Sequence, residues 1–241
     1  MISRYLFRVA SQTPLPADRA YAFYSCLLSL LPEEYAGELH EPKETPISQC
    51  LYGKNGEMFW QIHLLDPTAD NLFSAVLDDL TVLPLHSGEV GLDRQEKETL
   101  TAEDLMKAAR NIQAERFFSL RFLSPVAFRR GGRYTVLPEK DLILQSLQKK
   151  WNGTFPACPL DDEDAFRLLA EGIQITDYHL RTTRFSLKDN RIPGFIGNLC
   201  VETRLSAPIL EIWKLLIAFS EYSGLGIKTA LGMGGVKLCS K

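Results

Sequence analysis

Metal-binding and disulfide patterns are absent from this sequence of 241 residues. Its five cysteines form no C-x-x-C pair and no cluster with histidine; they are Cys26, Cys50, Cys158, Cys200 and Cys239. Such scattered thiols lack the ligand spacing of a zinc site and favour a reduced protein of the cytoplasm. We therefore expect neither a bound metal nor a cofactor.

Long hydrophobic runs are also absent. No stretch approaches the ~18 consecutive apolar residues of a membrane-spanning helix. Arginines interrupt the first apolar stretch, "MISRYLFRVASQTPLP", which therefore lacks the hydrophobic region of a secretion signal. From these absences we expect a protein that is neither exported nor inserted in a membrane.

Phosphate-binding fingerprints are incomplete in the one strongly glycine-rich stretch, "GLGIKTALGMGG" at residues 224–235. A dinucleotide-binding G-x-G-x-x-G would require glycine where Thr229 stands, and a P-loop would require glycine where Ile227 stands. Two interpretations stay open. The glycines either end a helix and turn the chain into a last strand, or they keep the backbone bare for close approach of a ligand.

What the sequence does contain is an uneven distribution of charge. Residues 1–115 carry 9 basic and 18 acidic side chains, whereas residues 116–241 carry 18 basic and 12 acidic ones. The net charge of −3 therefore conceals an acidic first half and a basic second half. A basic half is compatible with a polyanionic partner, and attraction between the two halves is the alternative explanation.

The first half alternates between strand and helix patterns. A strand and a helix are followed by two β-rich runs that the turn signal "GKNGE" divides. A second helix, capped by Asp66 or Thr68, precedes further strand. The predicted order is β-α-β-β-α-β.

The second half repeats this order in a longer form. We predict one strand over "RFFSLRFLSPVAF", a helix with Gly153 just past its end, a short helix, a long hairpin around "KDNRIPG", and a helix from Ser206 to Tyr222. Two β-α-β-β-α-β units predict an α+β protein of two tandem ferredoxin-like domains, 1–115 and 116–241.

Three motifs in the second half occur in a family-specific order: "FLSPVAFRRGGRYTVLP", "IPGFIGNLCVE" and "SGLGIKTALGMGGVKL". In order and spacing they resemble the CRISPR-associated endoribonucleases that process precursor CRISPR RNA, within the wider RAMP superfamily. The resemblance implies RNA as partner and cleavage without a metal. It leaves open a homodimer and association with other Cas proteins of an effector complex.

The resemblance also implies which residues bind RNA. The glycine-rich stretch would lie between the two domains, where backbone N–H groups approach phosphate. A basic hairpin would contact further phosphates, because guanidinium groups bind phosphate bidentately. The expected RNA-binding residues are Arg129, Arg130, Arg133, Gly224, Gly226, Lys228, Thr229, Gly232 and Gly234, and the basic track is extended by Arg181, Arg184, Lys188 and Arg191.

The resemblance further implies a catalytic histidine shortly after the first helix, which here is His40. Imidazole exchanges protons near neutral pH, and RNA supplies its own nucleophile in the 2'-OH. Attack on the adjacent phosphorus would leave a 2',3'-cyclic phosphate and a 5'-OH. Lys43 and a tyrosine, best Tyr24 in preference to Tyr21 or Tyr35, would stabilise charge and position the phosphate.

The other three histidines, His63, His86 and His179, lie in strand-like segments, where we expect them to be structural. Two further functions stay open for the chain. One is a non-catalytic RNA-binding subunit with the same folds and glycine-rich stretch. The other is a scaffold protein of a ribonucleoprotein, docked through its acidic half.

Overall fold

The computed structural model describes residues 1–11, 14–31, 46–85, 88–188 and 190–239. The described chain forms strands and helices throughout, with short 3₁₀ turns at Ala17–Arg19 and Thr229–Leu231. The strands are β1 (Ile2–Ala10), β2 (Ile47–Lys54), β3 (Glu57–Leu64), β4 (Val82–Leu85), β5 (Gly88–Leu100), β6 (Phe117–Phe122), β7 (Phe128–Arg130), β8 (Arg133–Thr135), β9 (Ile173–Leu187), β10 (Asn190–Thr203) and β11 (Val236–Cys239). The helices are α1 (Ala20–Ser29), α2 (Pro67–Asp79), α3 (Ala102–Arg110), α4 (Lys140–Thr154), α5 (Glu163–Gly172) and α6 (Ala207–Ser223).

The first half forms an antiparallel sheet with strand order β2-β3-β1-β5-β4. The hairpin β2-β3 turns at Asn55 and Gly56, which both have positive φ, as the turn signal predicts. Asp66 caps α2 by accepting a hydrogen bond from the N–H of Ala69 at 2.7 Å. Without the short edge strand β4, the order is that of a ferredoxin-like domain, so the prediction for this half is confirmed.

The second half forms an antiparallel sheet with strand order β11-β6-β10-β9, again the ferredoxin-like arrangement. Helix α6 begins after Ser206 with proline in its first turn. It ends at Ser223, because Gly224 adopts a φ of 65°. The predicted α+β class with two tandem ferredoxin-like units is therefore confirmed.

Three details differ from the prediction. Helix α3 was missed, although Thr101 and Asp104 form a reciprocal capping box at its start. The single strand predicted over residues 116–128 stops at Phe122, where the regular ladder is interrupted because the N–H groups of Leu123 and Ser124 both donate to the carbonyl of Gly235. Helix α4 includes Gly153 and continues to Thr154.

Each sheet covers a hydrophobic core of its own. The first core centres on Trp60, which packs edge-on against Phe23 on α1. The second centres on Trp151, which packs edge-on against Phe219 on α6. Helix α3 places Leu105 in this second core, although it follows the first sheet in the chain. We propose a boundary near residue 115, between α3 and β6.

No helix in the described ranges is long and apolar enough to cross a membrane.

Candidate nucleic-acid interface

The glycine-rich loop, residues 224–235, is packed tightly between the two halves. Gly232 and Gly234 are both buried and both have positive φ. A Cβ on Gly232 would lie 2.4 Å from the Cβ of Ala20, and one on Gly234 would lie 2.2 Å from the carbonyl oxygen of Leu225. These two glycines allow the loop to fold on itself and onto α1, and their contact with RNA stays a prediction.

The Gln49 side chain of the first sheet is hydrogen-bonded to this loop. The Gln49 amide on β2 donates to the carbonyls of Ala20 at 2.9 Å and Ala230 at 3.1 Å. Its carbonyl accepts from the indole N–H of Trp60 at 2.8 Å. Gln49 is buried, so these bonds form away from water and hold the loop in register with β2. The loop thus lies at the contact between the halves, as expected.

One part of the loop keeps its backbone donors available. Lys228 adopts a left-handed conformation with φ of 59° and precedes the 3₁₀ turn. Among the described residues, the N–H groups of Lys228, Thr229 and Ala230 have no acceptor, whereas those of the neighbouring loop residues are bonded. Successive N–H groups after a left-handed residue form a concave site that suits an anion.

A cleft of about 610 Å³ opens in front of these donors. It is lined by Pro46, Leu65, Asp66, Arg129, Tyr134, Lys150, Gly153, Thr154, Gly226, Ile227, Lys228, Thr229, Ala230 and Leu231. Three of these side chains are cationic, and Asp66 is the one acid. Since the Asp66 carboxylate caps α2, the described side chains give this lining a mainly positive charge.

The hairpin β7-β8 supplies one wall of the cleft. Arg129 and Tyr134 are opposite each other in the ladder and share one face, and both line the cleft. Arg130 and Arg133 form the neighbouring pair on the other face, and Arg130 makes an ion pair with Glu139 at 2.8 Å. Of the three arginines predicted to bind RNA, the structure therefore brings only Arg129 into the cleft.

The basic track on the second hairpin lies elsewhere. Its four side chains are exposed on β9, β10 and the turn between them, and they do not line the cleft. They are Arg181, Arg184, Lys188 and Arg191.

Lys150 is a cleft residue that the sequence analysis did not single out. Its ammonium donates to the carbonyls of Ser223 at 2.9 Å and Gly224 at 3.2 Å, and to the Thr229 hydroxyl at 3.2 Å. It neutralises the carbonyl end of α6 and joins it to the loop. The only sequence signal was its place in "KKW" at the end of the predicted helix.

The predicted catalytic residues are not gathered at the cleft by the described structure. His40 and Lys43 lie outside the described residues, and so does Tyr35. Tyr24 is 6% exposed and packs in the first core. Tyr24 is not among the described residues that line the cleft, and its role in positioning the phosphate stays a prediction.

His63 is a buried structural histidine, as expected. The Ser48 hydroxyl donates to the carbonyl of Tyr222, so it accepts from His63 Nδ1 at 3.0 Å. His63 Nε2 in turn accepts from the Gln61 amide at 2.9 Å. Burial, and secondarily the Arg4 charge, lowers the pKa of His63 to about 3. The imidazole is therefore neutral and links β2 and β3 to the end of α6.

The remaining two histidines differ from His63. His179 is exposed on β9, so the expectation that it would be a packed structural histidine is wrong. His86 lies outside the described residues.

Comparison with known proteins gives a consistent result. A family described as CRISPR-associated endoribonuclease Cas6 matches residues 120–236. The chain is 33% identical to a CRISPR-associated endoribonuclease Cas6 of Streptococcus thermophilus, over 92% of this chain and 91% of that protein. It is 25% identical to one of Mycobacterium tuberculosis, over 98% of this chain and 78% of that protein. A solved structure described as a Cas6 product complex superposes with a TM-score of 0.79 at 25% identity, and all of both chains is covered.

Proposed function

Because the chain belongs to the family of CRISPR-associated endoribonucleases Cas6, we propose that it cuts the repeat sequence in precursor CRISPR RNA and binds that RNA in the cleft. The observation that carries the proposal is a cleft whose described lining is mainly cationic and includes the N–H groups of residues 228–230, which have no acceptor among the described residues. The similar Streptococcus thermophilus protein supports the activity, since it is a named endoribonuclease of this family and matches along almost its whole length.

The cleft suits a phosphate of the RNA backbone. The loop N–H groups offer donors that need no side chain, and Lys228 and Arg129 add positive charge beside them. Such donors bind any phosphate whatever the base, so they position the strand rather than read its sequence. Lys150 supports them indirectly, because it fixes Thr229 and the end of α6.

We propose that cleavage uses the RNA's own 2'-hydroxyl and no metal. The 2'-oxygen attacks the adjacent phosphorus, its proton passes to a base, and the bond from phosphorus to the 5'-oxygen breaks. The departing 5'-oxygen takes up a proton, which leaves a 2',3'-cyclic phosphate and a 5'-OH. Cationic side chains and N–H donors that face the phosphate stabilise the charge that develops on it.

We propose His40 as the group that transfers a proton in this step, and Lys43 as a charge beside it. Pro46, the first described residue after them, lines the cleft. Pro46 is six positions after His40 in the chain. Imidazole exchanges protons near neutral pH, which is what the proposed step requires.

The test is single-turnover cleavage of the repeat RNA of the chain's own CRISPR locus, in EDTA. We expect the wild type to cut it and to leave a cyclic phosphate. His40→Ala should cut about 10²- to 10⁴-fold more slowly and keep most of its affinity. The control is His179→Ala, which removes an exposed histidine outside the cleft and should cut at the wild-type rate.

A second substrate tests the nucleophile. RNA with a 2'-deoxy nucleotide at the cut site should bind and stay intact. Binding of repeat RNA without any cleavage by the wild type would instead identify a non-catalytic RNA-binding subunit. A requirement for Mg²⁺, or a 3'-OH product, would refute the proposed chemistry.

A further inference from the structure

Tyr134 is the one aromatic side chain among the described residues that line the cleft, and the phosphate-binding proposal leaves it without a role. It is 43% exposed, although it is large and largely apolar. It stands on β8 directly across the ladder from Arg129. A half-exposed aromatic ring beside a cation at the wall of a cleft is an arrangement that favours a planar ligand carrying negative charge.

The lining of the cleft combines two kinds of chemical group. One kind is cationic side chains together with the N–H groups of residues 228–230, which have no acceptor among the described residues. The other is the apolar side chains of Leu65, Ile227 and Leu231. A nucleotide combines the matching groups, because its phosphate is anionic and its base is flat and weakly polar. The volume of about 610 Å³ lies within the range of ~300–1,000 Å³ that is usual for pockets that hold small ligands.

The Tyr134 ring is accessible at the surface of the described structure. Tyr134 belongs to a two-stranded hairpin and lies at the surface, outside the cores that centre on Trp60 and Trp151. Gly131 and Gly132 make the tip beside it, and a Cβ on either would meet nothing within 4 Å. Within the described part of the chain, the hairpin tip next to Tyr134 is therefore open.

We propose that Tyr134 is the stacking platform for one unpaired nucleobase next to the phosphate that is cut. The inference rests on the proposed function, because it takes the bound strand to be RNA. Arg129 and the loop donors hold the phosphate, and the Tyr134 ring stacks on the adjoining base. The ring thereby fixes the sugar that joins this base to the phosphate. The 2'-oxygen of that sugar has to be in line with the bond that breaks. Stacking tolerates every base, so Tyr134 selects an unpaired nucleotide rather than a particular sequence.

The test uses repeat RNA that the wild-type protein cuts, made with a 2'-deoxy nucleotide at the cut site so that it stays intact. One 2-aminopurine replaces in turn each of the two nucleotides on either side of that site. Stacking on an aromatic ring quenches the fluorescence of this base. We expect strong quenching by the wild type at one of these positions. Tyr134→Phe should keep the quenching, and Tyr134→Leu should abolish it at that same position.

Affinity and rate supply the second readout. Loss of one stacked base should weaken binding of the RNA by on the order of 5- to 150-fold in Tyr134→Leu. Tyr134→Phe should bind and cut like the wild type. The matched control is Tyr178→Leu on β9, which removes a tyrosine that is 63% exposed and outside the cleft, and which should leave binding and quenching unchanged.

The outcomes separate this inference from the proposed function. If the wild type cuts the repeat but Tyr134→Leu leaves quenching and affinity unchanged, the stacking role is refuted and the endonuclease function stands. If Tyr134→Phe is as impaired as Tyr134→Leu, the hydroxyl is what matters, and stacking is again refuted. If the wild type neither binds nor cuts the repeat, the proposed function itself fails.

Discussion

Acid should weaken the contact between the two halves through His63. The free imidazole has a pKa of 6.5, and in the folded protein burial and Arg4 lower the pKa of His63 to about 3. As the pH falls below 6.5, His63 binds a proton in the unfolded chain but stays neutral in the folded chain. The stability that His63 contributes is therefore fully present above pH 6.5 and is lost progressively between about pH 6.5 and pH 3. Between pH 7 and pH 5 the expected loss is about 2 kcal/mol.

The comparison variant is His63→Asn. Its amide nitrogen retains a donor towards the Ser48 hydroxyl, and its side chain does not titrate. Urea unfolding of both proteins at pH 7, 6 and 5 gives the difference in their free energies of unfolding. Burial raises the pKa of the nearby Glu221 carboxyl, which acts in the opposite direction, but both proteins contain Glu221, so its effect cancels in this difference.

From pH 7 to pH 5 we expect the wild type to lose about 2 kcal/mol more of its free energy of unfolding than His63→Asn does, so the difference between the two shrinks. A difference that does not change with pH would refute the burial of a neutral His63. A difference that grows as the pH falls would mean that His63 is charged in the folded protein.

Three further predictions follow from the loop and the hairpin. Gly234→Ala should lower the free energy of unfolding, measured in urea, by about 2 kcal/mol more than Gly131→Ala. Both glycines have positive φ, but only at Gly234 would a Cβ be forced against backbone. Equal losses in the two variants would contradict the packed loop. Gln49→Leu should lower the free energy of unfolding by about 3 kcal/mol or more in the same assay, because three buried polar groups lose their hydrogen-bond partner. An unchanged free energy of unfolding would contradict those hydrogen bonds. Replacing the three arginines of the basic hairpin by alanine should flatten the slope of log K against log salt for repeat RNA by up to about two units, whereas Arg167→Ala on α5 should not alter it.

Local signals in the sequence determined most of the secondary structure. The turn at Asn55 and Gly56, the cap at Asp66 and the stop at Gly224 each depend on a few neighbouring residues, so pattern alone located them. The repeated order of elements then gave two ferredoxin-like units, and the three second-half motifs indicated the family. Helix α3 was not predicted, because it is short and its buried residues pack on the other half of the chain.

Burial and proximity were decided by tertiary structure alone. His63 and His179 both lie in strands, but His63 is covered by Tyr222, which is 159 residues away in sequence, whereas His179 is exposed in the described structure. For the same reason Tyr24 turned out to be a core residue, while Tyr134 and Lys150 came to the cleft without a strong signal of their own. Sequence patterns act over a few residues along one element, whereas a site depends on which distant element packs against it, and that is fixed only when the two sheets and the loop between them come together.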